Sequence, residues 1–485
     1  MKPTKKILAS ISRKKNLSER NRKLKELFQE YDYTDIIGFV AEFFSLESIL
    51  ECFSKTDLIQ YEPRKVKKIA TYYTRMNNGG VQRVLASLLC LWVDMGYEVI
   101  LYTDQPVHEA DYYYPAAVKR ILVPETSDAG ERGVFWKKTL RENNIDLIVY
   151  HEWMAGYLMW DMLIAKTLRI PFIIYTHGHF TELYDNCNDY RLNTDKIYAM
   201  SDMVISLAEC NDRFYKLCGC NTILLDNPIS PELKKNNKVT SLDSHNIIWV
   251  GRICEGKRIE DAVKTFSLIH QSIQDAELYI IGSGDLELLS IAYSLVNELG
   301  IAEAVHFEGF QENIEPYYLK AGMMLMTSER EGYPAIILES KAYGVPLVMY
   351  QLPYLTLTKD KKGLRTAEIG DYEGLARESI SILRDNEYRK DLSKEARESF
   401  ETVAKYDIIG QWKEIFKRFS VGIAKTKRTT ADELMMQMFM EQLRQGVVEN
   451  RTSSKEYKVG KMLLSLPRKV QAQLRYMKYW SKLGR

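Results

Sequence analysis

Two glutamates with seven residues between them, Glu331 and Glu339, form the most specific chemical pattern in the chain, within TSEREGYPAIILESKAYGVPLV. The segment leaves a strand-like apolar run, turns through Gly332 and enters a helix near Pro334, which suits a first helical turn because no amide donor is needed there. The unpaired amides and dipole of such a helix start favour an anionic ligand. This reading puts Glu331 at the turn and Glu339 two turns along the helix. A carboxylate so placed suits the vicinal hydroxyls of a sugar, two donors for its two oxygens. Taken alone, the spacing also describes a surface helix with solvated glutamates.

A second pattern is VGRICEGKRIEDAV, where Arg252 follows a strand and Lys257 stands five residues on, at a helix start. Two cations there can clamp a diphosphate, Arg252 with a fork of donors and Lys257 as a point charge. A solvated basic loop would look the same in isolation. A third is RMNNGGVQR, whose Gly79 and Gly80 are expected to give the backbone freedom and close approach to a ligand that only glycine permits. It is neither a dinucleotide fingerprint nor a P-loop, since no Gly-Lys-Ser/Thr follows. Finally, YHEW puts His151 and Glu152, and THGHF puts His177 and His179, at the ends of two strands. Strand ends of a doubly wound sheet line its crevice, so at least one of these histidines is expected to face ligand. His179 is read as hydrogen-bonded structure, and no third ligand completes a metal site with His177 and His179.

Positioning these residues takes more than one domain. The 485 residues fit two large domains, and 46% hydrophobic with 27% charged residues excludes wholesale disorder and disulfide scaffolds. Short β-branched or aromatic runs alternate with helix-period segments: KVKKIATYYT, EVILYTD, DLIVYHEW, PFIIYTHGH and DMVISLAE in the first half, NIIWVGR, AELYIIGSG, AVHFEGF, GMMLMTSE and VPLVMYQ in the second. That rhythm is the signature of βα units on parallel sheets. The helix after NNGG is expected to gather Val84, Leu88, Leu91 and Trp92 on one face and to stop at Gly96. Two doubly wound domains follow, residues 66–230 and 247–400, joined by a polar linker at 231–246, with a helical crossover at 401–424 that can pack back across both. Residues 1–65 form a basic, helical arm and 425–485 a basic amphipathic extension.

The net charge of +2 conceals a division. Residues 1–25 and 451–485 each carry ten basic side chains against one acidic, so each end is +9 and residues 26–450 carry −16. Seven cysteines without a C-x-x-C pair (Cys52, Cys90, Cys187, Cys210, Cys218, Cys220, Cys254) read as reduced thiols of a cytoplasmic protein. The basic start lacks the apolar core of a secretory signal, and no apolar run reaches the length of a membrane span.

In this order the segments NNGGVQRVLASLL, THG, VGRICEGK, IIGSGD, VHFEGF and TSEREGYPAIILESKAYGVPLV resemble the retaining glycosyltransferases of family 4, over about residues 66–420. The resemblance implies a GT-B fold of two facing Rossmann-like domains and transfer of a hexose-type sugar from a nucleotide-diphosphate donor. It implies that Arg252 and Lys257 hold the diphosphate and Glu339 the ribose hydroxyls. Glu331 and the backbone of Gly332, Tyr333 and Ala335 face the transferred sugar. Gly79 and Gly80 line the diphosphate from the N-terminal side, His177 meets the donor sugar near the reacting centre, and Phe310 lies where the base rests. His151 is a candidate for the acceptor side. No cofactor is implied beyond the donor, and no Asp-x-Asp motif calls for a metal. Pro334 and Arg258 depart from the family pattern, standing where glycine is frequent. EGYP and the Leu-Pro-Tyr at 352–354 look like members that build bacterial surface polysaccharides or teichoic-acid-type polymers. A glycan or lipid-linked acceptor is the expected partner. A catalytically silent GT-B partner or glycan-binding scaffold is the alternative reading.

In RKVQAQLRYMKYWSKLGR a helix would align Leu466, Val470, Leu474, Met477 and Trp480 opposite Arg468, Arg475, Lys478 and Lys482. That arrangement fits an anionic membrane surface, at the inner face of the cell membrane. The same face could instead dock on protein, and nothing in the basic ends resembles a nucleic-acid-binding module.

Overall fold

The computed structural model describes residues 5–14, 16–31, 37, 40, 44–54, 61–77, 79–126, 128–184, 191–423 and 428–453. The amphipathic segment read at 466–482, Asn78 and Cys187 lie outside the described residues.

Two parallel sheets organise the chain. The first contains β1 (Lys68–Tyr72), β2 (Glu98–Thr103), β3 (Lys119–Leu122), β4 (Leu147–Tyr150), β5 (Phe172–Tyr175), β6 (Met203–Ser206) and β7 (Thr222–Leu224) in the order β3-β2-β1-β4-β5-β6-β7. The second contains β8 (Asn246–Val250), β9 (Glu277–Ile281), β10 (Val305–Gly309), β11 (Met323–Met326), β12 (Leu347–Tyr350) and β13 (Leu364–Ala367) in the order β10-β9-β8-β11-β12-β13. Every residue of β4, β5, β6, β11 and β12 is buried. Helices cover both faces, and such strands therefore read as unbroken apolar runs. The strand order reverses between β1 and β4 in one sheet and between β8 and β11 in the other. A doubly wound sheet opens its ligand crevice at these points, beyond the carboxyl ends of the strands.

The edge strands β3 and β13 were not legible as strands. β3 is KRIL with no buried residue, and only Leu364 of β13 is buried. Charged, half-wet edges discourage pairing with another chain and erase the apolar signal.

The Gly80–Asp94 helix buries Gln82, Leu85, Ala86, Leu88, Leu89 and Trp92. Of the expected face, Leu88 and Trp92 are buried, while Val84 and Leu91 lie at its margin. The Ile408–Val421 helix returns to the first domain: Trp412 meets Trp92 edge-on at 5.0 Å and Phe416 meets Tyr97 at 4.7 Å. The N-terminal helices Lys5–Ser12, Leu17–Glu30 and Leu46–Ser54 place Leu8, Leu24, Leu27 and Phe53 in the same apolar cluster as Ile148, Met162 and Leu163 of the first domain. Their packing is that of an added layer. A further helix, Thr430–Ser453, docks Met436 and Met440 beside Tyr184 and Phe214 and leaves Leu434, Met435 and Met438 exposed. Among the described residues no helix is long and apolar enough to cross a membrane.

Candidate active site

The loops that leave β8, β9 and β10 are laced together by main-chain hydrogen bonds. Gly251 N donates to Ile281 O, Ile253 N to Ser283 O, Gly282 N to Gly309 O and Asp285 N to Ile253 O, at 2.8–3.0 Å. Backbone lies so close that a Cβ on Gly282 would stand 1.9 Å from Gly251 O and one on Gly284 2.0 Å from Ile253 O. The glycines of IIGSGD are thus fixed by packing against the loop that carries Arg252.

That loop closes in a short turn, Glu255–Lys257. Thr327, at the exit of β11, receives the Trp249 indole N–H at 3.1 Å and donates its hydroxyl to Lys257 O at 2.8 Å. Glu329 N donates to Gly256 O at 3.0 Å. These bonds bring the two switch-point loops side by side, and the Lys257 ammonium forms an ion pair with the Glu331 carboxylate. Both groups are mostly buried, 22% and 12% exposed. Arg252 is exposed, makes no ion pair among the described residues, and is near enough to Tyr73 of the first domain for its charge to act on that hydroxyl. Arg258 adopts a left-handed backbone, φ 49° and ψ 54°, held by Asp261 at 2.6 Å. This is the conformation that glycine takes without strain, which accounts for glycine at the equivalent place elsewhere.

Pro334 lies just outside the Ala335–Ala342 helix, in extended conformation, so Ala335 is the first helical residue. Glu339 stands little more than one turn into that helix rather than two. Its carboxylate is 4% exposed: Oε1 accepts from Arg83 at 2.5 Å and Oε2 from the Tyr318 hydroxyl at 2.9 Å. Arg83 belongs to the first domain, so this pair spans the cleft. Gly79 and Gly80 do not supply the glycine-only backbone freedom expected of them. Gly79 has φ 179°, an extended conformation open to any residue, and Gly80 is the first helical residue. What distinguishes Gly80 is space, with nothing within 4 Å of the position a Cβ would take.

Main chain of the first domain closes on the second at Gly332, where a Cβ would lie 2.1 Å from His177 O. His177 is partly exposed and leans on Tyr175, ring centroids 4.7 Å apart. Its Nε2 is 2.8 Å from His151 Nδ1. Burial pushes His177 down to about 3 and His151 well below its ordinary value, so both are neutral at physiological pH. His151 is fully buried. The acceptor-side place expected for it is therefore not where the structure puts it; it lies behind His177. His179 packs against Tyr354 of the second domain at 4.7 Å and bonds Thr181, as a structural histidine would. Tyr333 is buried, its hydroxyl toward Asp226, whose carboxyl is raised by burial. Phe310 is 56% exposed at the end of β10, a free ring face.

Arg252, Lys257, Glu331, Gly332 and His177 thus converge on one cleft, with Glu339, Gly79 and Gly80 on its flank through Arg83. Sequence reasoning missed Arg83, Tyr318 and Tyr354, whose hydroxyl accepts from Glu331 N at 3.1 Å. Only Tyr354 carried a signal, in the Leu-Pro-Tyr noted above. Among the described residues no three His, Cys, Asp or Glu side chains gather as a metal site. Cys218 and Cys220 are free, and burial raises both thiols.

Residues 231–399 match the family model described as glycosyl transferases group 1, and residues 78–209 that of glycosyltransferase family 4. N-acetyl-alpha-D-glucosaminyl L-malate synthase of Bacillus anthracis is 30% identical over 38% of this chain and 48% of its own. An uncharacterized glycosyltransferase of Haemophilus influenzae is 22% identical over 72% of this chain and 100% of its own. Poly(glycerol-phosphate) alpha-glucosyltransferase of Bacillus subtilis is 25% identical over 39% and 27%. The chain therefore spans about half of the first relative, all of the second and about a quarter of the third. Among solved structures, S. aureus TarM in complex with fondaparinux, alpha-GlcNAc-glycerol and UDP superposes with a TM-score of 0.62 at 11% identity, over 72% of this chain and 100% of that one. The matches support a GT-B glycosyltransferase, and with it a transferase enzyme.

Proposed function

We propose that this glycosyltransferase moves a hexose-type sugar from a nucleotide-diphosphate donor, with retention and without a metal, to a glycan, teichoic-acid-like or lipid-linked acceptor of a bacterial surface polysaccharide. The observation that carries the reading is the meeting of Lys257, Glu331 and Gly332 with His177 across the cleft. Relatives whose names specify α-linked sugars and a poly(glycerol-phosphate) acceptor support its narrower parts.

Cleaving the bond from the anomeric carbon to the diphosphate puts positive charge on the sugar and negative charge on the leaving oxygen. Lys257 supplies a point charge to that oxygen and Arg252 a fork of donors, and fixed cations in a partly dry cleft stabilise the separation without reorganising. Glu331 faces the sugar, and the lone pairs left on Glu339 take ribose hydroxyls, with Arg83 yielding its place. Phe310 offers its exposed face to the base. Attack from the face the phosphate leaves, with the departing oxygen receiving the acceptor's proton, gives retention and needs no enzymic nucleophile. The basic C-terminal segment would hold the enzyme at the cytoplasmic face of the membrane, where lipid-linked acceptors are found.

Nucleotide release from a panel of donors, with and without chelator, tests this. Chelator-resistant release that falls sharply in Lys257→Ala and Glu339→Gln is the expected result. If no donor releases nucleotide and both variants bind nucleotide as the wild type does, the enzyme reading fails.

A further inference from the structure

Two neutral histidines 2.8 Å apart share one proton between the facing nitrogens, and which ring donates fixes the chemistry of the other ring's far side. If His151 Nδ1–H donates to His177 Nε2, then His177 carries its proton on Nδ1. If His177 donates, its Nδ1 is bare and the His151 proton moves to Nε2. The surroundings of His151 separate the two. His151 Nε2 is buried and has no hydrogen-bond partner among the described residues. Of the rings around it, Tyr175 donates its hydroxyl to Asn227 at 2.8 Å, and Trp92 offers an N–H, which can only donate. A proton on His151 Nε2 would thus be an N–H buried without an acceptor, an arrangement native proteins rarely keep; a bare lone pair there is less costly.

We propose that His151 is a positioning residue that donates through Nδ1 and thereby sets His177 in the Nδ1–H tautomer, presenting a neutral hydrogen-bond donor to an oxygen of the bound sugar. The functional half rests on the reading above of His177 as the residue that meets the donor sugar; the tautomer itself does not. Among the described residues the side-chain hydrogen bond of His177 is the one through Nε2, which leaves Nδ1 to a ligand, and its ring is partly exposed beside Gly332. The depressed basicity of both rings agrees, since a charged pair would leave no tautomer to choose.

The test uses the full chain labelled with 15N at histidine, His177 signals being assigned by their loss in His177→Gln. At pH 7.5 the wild type is expected to show a protonated Nδ1 and a bare Nε2 at His177. His151→Asn keeps an N–H donor near the Nδ1 position and should preserve that spectrum and kcat to within about threefold. His151→Phe keeps a ring against Tyr175 but no donor. It should lose the single tautomer and lower kcat by roughly 10²-fold with KM little changed, the scale of removing one transition-state donor. A wild-type proton on His177 Nε2 would overturn the tautomer assignment whether or not the protein transfers sugar. A tautomer lost in His151→Phe with kcat unchanged would overturn its use in catalysis. A misfolded His151→Phe leaves both decisions to the wild-type spectrum and to His151→Asn, where loss of the Nδ1–H state counts against the proposal.

Discussion

Gly332→Ala isolates the closeness of the two domains from every other property of the site. Gly332 does not take the left-handed backbone that favours glycine, so alanine brings no strain of that kind. The added methyl would lie 2.1 Å from His177 O, 2.8 Å from His177 C and 2.9 Å from Gly178 Cα, all main-chain atoms of the opposite domain. No rotamer can relieve such a contact. Restoring an ordinary separation requires the domains to part by about 1 Å at this point, and a misplacement of that size costs on the order of 10²-fold in rate, or roughly 2.7 kcal/mol of barrier. Steady-state kcat should fall by that factor. Nucleotide affinity should change little, since Arg252, Lys257, Glu339 and Phe310 lie on the second domain and, of the expected nucleotide contacts, Gly79 and Gly80 alone on the first. Gly178→Ala is the matched control, because the atoms nearest its methyl would be those of the Glu182 carboxylate, a side chain of the same domain, and a loss under tenfold is expected. A kcat for Gly332→Ala within threefold of wild type, with an unchanged small-angle scattering profile, would show that this contact is no part of the catalytic arrangement.

Three further outcomes follow from other contacts. Removing Arg83 as Arg83→Met frees Glu339 for ribose; the pair is 44% exposed on the arginine side, so its loss should tighten nucleotide binding by about 1 kcal/mol, roughly fivefold. Calorimetry showing weaker binding instead would make Arg83 a nucleotide contact. For His151 and His177 the folded state stays neutral while the unfolded chain takes up protons below about pH 6.5, so stability is lost as pH falls from there toward 3, at about 1.4 kcal/mol per pH unit for each ring. Denaturant melts at pH 6.5 and 5 should therefore diverge less in His151→Phe than in the wild type, and equal divergence would contradict the burial. Deleting residues 455–485 should reduce sedimentation with anionic vesicles while sparing donor hydrolysis, and undiminished sedimentation would reject the membrane role of that segment.

The sequence was most informative where burial is two-sided and the chemistry is local. β4, β5, β11 and β12 show as apolar runs because both of their faces are covered. Lys257 and Glu331 were recognisable because each lies in the loop that leaves an apolar strand, β8 or β11, at a switch point. What escaped depends on contacts between distant parts of the chain. Arg83 and Glu339 are 256 positions apart, and nothing near either residue announces the other. Tyr354 reaches the amide of Glu331 only because the loop after β12 folds back beside β11. His151 and His177 looked equivalent, one at each strand end, yet one is sealed behind the other by the packing of Trp92 and Tyr175. The N-terminal helices read as an arm since their charge is conspicuous and the apolar stripe of Leu8, Leu24 and Leu27 is not.

The pairing of charges in the cleft bears on how a donor would be received. Lys257 is matched by Glu331 and Arg83 by Glu339, which leaves Arg252 without an ion pair among the described residues. Arg252 is exposed, so the long-range attraction it would offer an entering diphosphate is modest and readily screened by salt. On the proposed reading the larger gain would require exchange: phosphate oxygens would draw Lys257 from Glu331, and ribose hydroxyls would replace Arg83 on Glu339. Each carboxylate freed in that exchange would accept from neutral sugar hydroxyls and stay hydrogen-bonded, where phosphate arriving without its sugars would leave Glu331 buried with its ion pair broken. A nucleotide sugar would supply partners to both carboxylates, whereas inorganic diphosphate would strand Glu331 and leave Glu339 with Arg83. Selectivity for the whole donor over diphosphate would then arise at the Lys257–Glu331 pair, before any contact that distinguishes one hexose from another.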